Sequence, residues 1–132
     1  MQNNLQTLIE YRIQQAYKTS KEIEILIEQE LLALAINRIY YAMFYMLLAL
    51  SLQYGFKTSK HKQLLGWFNK EFVKTEKIDR TYGGIINNAY EDRTDGDYGI
   101  FVEFEKQEVE KKFQDMKLFI EKVEELIRDN EH

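Results

Sequence analysis

Residues 37–50 read Asn-Arg-Ile-Tyr-Tyr-Ala-Met-Phe-Tyr-Met-Leu-Leu-Ala-Leu, a run that is apolar on nearly every side. A helix of that composition has to lie inside other helices. The polar groups it carries, Asn37, Arg38, Tyr40, Tyr41 and Tyr45, then need partners within the fold, and function is to be sought at those partners. The wider apolar segment 31–52 approaches the length of a membrane span. Asn37, Arg38, Gln53 and the three tyrosines point instead to a buried helix.

The rest of the chain supplies the helices that such a core needs. Its 132 residues contain no proline and six glycines, Leu, Ile, Glu, Lys and Gln abound, and the hairpin dipeptide Asn-Gly is absent. This composition predicts a single all-α domain over residues 1–132, an up-and-down bundle of four to five antiparallel helices. Cysteine is absent, which excludes a disulfide framework and thiol chemistry. No charged-then-apolar leader opens the sequence, so the expected compartment is the cytoplasm, away from membranes.

Apolar residues at three- and four-residue intervals from Leu5 to Tyr17 predict a first helix that continues to about Ile27, with the boundary to the next lying near residues 28–31. Thr19 and Ser20 are the residues within it that could cap a break. The second helix is expected over about 30–54, ended by Gly55. Thr58 or Ser59 can cap a third, and Asp79 a fourth that holds Gly83 and Gly84, where paired glycines suggest close helix approach. Gly96 and Gly99 are expected to bracket Asp97 and Tyr98 in an irregular bend. The last helix is expected to begin near Phe101 or Val102, with Val102, Val109, Phe113, Met116, Ile120, Val123 and Ile127 as its packing seam.

The formal net charge is −4, which argues against indiscriminate nucleic-acid binding. The charge is unevenly spread, however. Residues 55–80 hold seven Lys or Arg against three Asp or Glu, an ordinary solvated face that permits an anionic partner, since Trp67, Phe68 and Phe72 lie among the cations. The carboxylate pairs of the last helix lack the Glu-x-x-His pattern of a metal bundle, so no metal and no cofactor are expected. Neither a phosphate-cradling glycine loop nor a nucleophilic triad is present.

Several pieces, in order, resemble the HEPN domain, the higher eukaryotes and prokaryotes nucleotide-binding family, in its small prokaryotic branch. They are Asn-Arg-Ile-Tyr-Tyr-Ala-Met-Phe (37–44), Gly55, Lys-Thr-Ser-Lys-His-Lys (57–62), Trp-Phe-Asn-Lys-Glu-Phe-Val-Lys-Thr (67–75), and Arg93 with Asp97-Tyr98. The resemblance implies a homodimeric helical bundle, often paired with a minimal nucleotidyltransferase. It also implies a metal-independent RNase or toxin in many members, whose active motif is an Arg followed by a His after four to six residues. In that chemistry Arg neutralises the scissile phosphate and His moves protons.

This chain departs from that motif, since Tyr98, Gly99 and Ile100 occupy the positions where the histidine belongs. With an unperturbed pKa near 10, Tyr98 is a poor base, though it can donate a hydrogen bond to phosphate or stack on a base. His61 is the other candidate proton carrier, either a helix-start histidine satisfied by a neighbour or a group brought to Arg93. Arg93 and Asp97 are four apart and can also form a simple pair.

The leading expectation is an RNA- or nucleotide-binding, toxin-like or substrate-binding partner of a nucleotidyltransferase with a degenerate motif. Its candidate residues are Arg93, Asp97, Tyr98 and His61, with Asn37, Arg38, Tyr41, Lys57, Lys60 and Lys62 as ligand contacts. The alternatives are an active RNase using Arg93 with Tyr98 or His61, and a non-catalytic dimerisation module.

Overall fold

The computed structural model describes the backbone of residues 2–98 and 103–129 and the side chains of 4–93 and 103–129. Among the described residues the chain is a bundle of five α-helices without strands. They are α1 (Gln2–Glu28), α2 (Leu32–Gln53), α3 (His61–Phe68), α4 (Arg80–Tyr98) and α5 (Lys106–Asp129), with a π-helical turn, Asn69–Val73, continuing α3. The apolar run 37–50 falls in the middle of α2, which packs against α1, α3, α4 and α5. Nine of its residues from Ile39 to Leu50 are buried hydrophobics. It is long and apolar enough to cross a membrane, but here it is the central helix of the bundle.

Two helix ends close with the same device, and only one of them was visible in the sequence. At Gly55 (φ 78°), Gly55 N–H bonds to the Leu52 carbonyl and Phe56 N–H to that of Ser51, the paired bonds of a Schellman cap. After α1 the same bonds run from Glu30 to Ile27 and from Leu31 to Leu26, with Glu30 at φ 58°. A left-handed glutamate leaves no compositional mark. The expected boundary near residues 28–31 is therefore where the chain turns, and α2 starts two residues later than anticipated.

Thr19 does not interrupt α1, because its hydroxyl donates back to the Gln15 carbonyl at 2.8 Å, a bond that leaves the helical ladder intact. Asp79 caps α4 by accepting from Thr81 N–H at 2.8 Å. Of the paired glycines, Gly83 alone marks a close approach. A methyl group there would come within 3.1 Å of both Asn69 Oδ1 and Val73 Cγ2, while Gly84 faces open space. The expected bend at Asp97 and Tyr98 is absent, since α4 continues through Tyr98. The last helix starts at Lys106 and buries Val109, Phe113, Met116, Ile120, Val123 and Ile127, the seam read from the spacing, with Val102 outside the described residues.

Candidate functional site

Three elements meet at one corner of the bundle. From α2 come Tyr40, Tyr41 and Phe44, which one turn of helix places side by side. From the start of α3 comes His61. From α4 come Tyr90 and Arg93, three apart and so on one face. The Arg93 guanidinium carbon lies 5.4 Å from the Tyr40 ring centroid, 5.9 Å from that of Tyr41 and 5.3 Å from that of Tyr90. Its Nη1 donates to the Tyr41 hydroxyl at 3.5 Å. Each ring contact of this kind contributes about 0.5–2 kcal/mol depending on desolvation, and three together fix the orientation of the planar cation.

His61 occupies the same corner. Its imidazole stacks on Phe44 at 4.3 Å with planes 18° apart, and has Tyr40, Tyr41 and Tyr90 at 5.5, 5.8 and 6.2 Å. The Tyr40 hydroxyl lies 2.6 Å from His61 Nδ1. Burial, partly opposed by the charge of Arg93, holds the Tyr40 phenol well above the ordinary tyrosine range, so it stays protonated and needs an acceptor. Burial, and then the Arg93 charge, push the His61 pKa below its ordinary value. At neutral pH the imidazole is therefore uncharged, accepts from Tyr40 at Nδ1 and carries its proton on Nε2. In that tautomer it is a hydrogen-bond donor at Nε2.

Arg38 belongs to the same neighbourhood, with its guanidinium carbon 5.6 Å from the Tyr41 ring, so two arginines share that tyrosine. Arg38 also lines a groove of about 420 Å³ between α1 and α2, with Tyr11, Lys18, Glu22 and Tyr45. Asn37 is half-buried one turn before Tyr41. Lys57, Lys60 and Lys62 are exposed, the last two flanking His61 in sequence. Asp97 and Tyr98 lie in the final turn of α4 beyond Arg93, and their side chains fall outside the described residues. Among the described residues no group of three carboxylates or imidazoles gathers as a metal ligand set.

The sequence puts Tyr40 and Phe44 in the apolar run 37–50, with Tyr40 among the polar groups that need partners, and does not single out Tyr90. Tyr40 is indeed fully buried, yet its hydroxyl sets the His61 tautomer. A signal existed in the spacing, because Tyr90 sits three residues before Arg93 and Tyr40 four before Phe44, which places each pair on one helix face. Chemically the corner offers a fixed guanidinium, an imidazole N–H, a phenol and nearby lysines, a donor set for a phosphate group.

The chain is similar over most of its length to known proteins. A UPF0332 protein of Thermotoga maritima is 40% identical over 127 residues, covering 96% of each chain. A protein of Methanocaldococcus jannaschii named "Putative toxin MJ0142" is 38% identical over 102 residues, 77% of this chain and 69% of its own. A second from the same organism, "Putative toxin MJ0605", is 28% identical over 129 residues, 98% of this chain and 92% of its own. The HEPN domain family model matches residues 9–126, and the chain belongs to the HEPN domain family.

Proposed function

We propose that this protein is a toxin-like HEPN protein that binds RNA or a nucleotide by its phosphate at the corner formed by Arg93, His61, Tyr40 and Tyr41. The observation that carries the reading is the sharing of one aromatic corner by Arg93 and His61. Ring faces orient a guanidinium while leaving its charge in place, and His61 Nε2–H adds a neutral donor beside it. The names of the two archaeal relatives support the toxin-like part. The ligand, a homodimeric state and a nucleotidyltransferase partner follow the family resemblance, and these and a cytoplasmic location belong to the proposal.

Binding is favoured over cleavage by the hydrogen bond of Tyr40. With Nδ1 accepting from that phenol, Nε2 has no lone pair to take a proton from a ribose hydroxyl. A second reading, RNA cleavage with His61 as proton carrier, is favoured by the nearness of a neutral imidazole to a fixed arginine.

Gel shifts of RNA with wild type and Arg93→Ala between about 50 and 200 mM salt test the first reading. Salt-sensitive binding that weakens at least tenfold in the variant supports it, and equal binding by the two proteins overturns it. Following RNA integrity with purified wild type and His61→Ala tests the second. Cleavage abolished by the substitution supports that reading, and intact RNA with the wild type dismisses it.

A further inference from the structure

Away from the Arg93 corner, the end of α2 and the α3 to π-turn segment bring four rings together at the surface. Phe56 lies on Trp67 with planes 2° apart and centroids 5.3 Å apart. Tyr54 meets Trp67 edge-on at 6.4 Å and Phe72 at 5.1 Å. Phe72 forms the floor at 1% exposure, whereas Tyr54 is 42% exposed and Phe56 and Trp67 are half-buried. The floor is held by the π-turn. Its wide bond from Lys74 N–H to the Asn69 carbonyl at 2.8 Å accompanies the close approach of Gly83 to Asn69 and Val73.

Cations surround this cluster. The Lys77 ammonium lies 5.4 Å from the Phe72 centroid. Lys57 follows Phe56, Lys70 lies three residues beyond Trp67, and all three lysines are exposed. This is the stretch with seven basic residues against three acidic ones, in a chain whose net charge is −4. Partly exposed rings suit unstacked bases, and lysines suit the phosphates between them. A double helix hides its base faces, so the combination selects a single strand.

From this geometry we infer that Tyr54, Phe56 and Trp67, with Lys57, Lys70 and Lys77, form a base-stacking platform for single-stranded RNA, separate from the Arg93 corner. The inference rests on RNA being the ligand proposed above, and it adds a second contact along the same strand.

Trp67 is the sole tryptophan of the chain, so its fluorescence reports on the platform alone. Titration with an unlabelled single strand of a dozen uridines is expected to quench Trp67 saturably. The quench at saturation persists in Arg93→Ala, and Tyr54→Ala weakens binding by about fivefold or more. Lys57→Glu with Lys77→Glu flattens the salt dependence.

If a fluorescein-labelled strand binds by anisotropy while Trp67 emission stays constant and Tyr54→Ala binds like wild type, the platform is overturned and the Arg93 reading stands. An equal quench by a duplex of the same length overturns the single-strand preference. Absence of binding by either readout overturns both readings.

Discussion

Two phenols in this bundle make hydrogen bonds of the same length to partners of different kinds. Tyr17 on α1 donates to Glu124 on α5 at 2.6 Å, and Tyr40 on α2 meets His61 Nδ1 on α3 at 2.6 Å. Burial is the main influence that raises both above the ordinary tyrosine range. Glu124 is also bonded by Arg128 at 3.1 Å, and Arg128 pairs with Glu10, so a cation lies between two carboxylates and fastens α1 to α5. The other phenol faces a titratable imidazole next to an arginine that is set over rings. A carboxylate partner shared with an arginine makes a latch between helices. An imidazole partner can change its proton count, so that corner can respond to a neighbouring charge.

The largest expected contrast between the two regions is in stability. Tyr40→Ala empties a fully buried position and is expected to cost about 3–5 kcal/mol in urea unfolding. Tyr17→Ala, at a half-buried position, should cost clearly less. Equal losses would erase the distinction between a core phenol and a surface latch.

Arg93→Lys is expected to lower RNA affinity about tenfold, or ~1.4 kcal/mol, because an ammonium keeps the charge but loses the planar fit over the Tyr40 and Tyr90 rings. Full binding by the lysine variant would show that charge alone suffices. Tyr17→Phe should cost ~1 kcal/mol of stability, since the phenol bond to Glu124 is lost while Arg128 stays to hold the carboxylate. RNA affinity should not change, and any loss of it would tie the α1–α5 seam to the site.

The smallest effect is that of pH. His61 holds its proton less readily in the folded protein than in the unfolded chain, so the unfolded chain binds more protons just below the ordinary histidine value. Stability is therefore full above about pH 6.5, declines slightly as pH falls through the folded value of His61, and then levels off. His61→Gln should remove that decline in thermal unfolding, and a decline that survives the substitution would place its origin elsewhere.

Much of this molecule could be read directly from its sequence. The run 37–50, the Gly55 cap, the Asp79 cap and the α5 seam each follow a local rule that the fold obeys. The turn at Glu30 was not legible, because a left-handed glutamate looks like any other glutamate until its backbone is seen. The π-turn lies against Gly83, a contact between helices that no spacing within α3 reveals. At the site, Arg93, His61, Tyr41 and Arg38 were identified by type and order. Their meeting through Tyr40, Phe44 and Tyr90 depends on how three helices pack, which no spacing within one helix reveals.

The most direct test of the Arg93 corner is the titration of the His61 ring followed by NMR, its signals assigned by comparison with His61→Gln. In the free protein His61 should titrate below the ordinary histidine value. Saturation with single-stranded oligouridylate should move that titration upward, because a phosphate beside the imidazole stabilises its charged form. RNA that binds and leaves the His61 titration unmoved would contradict the account.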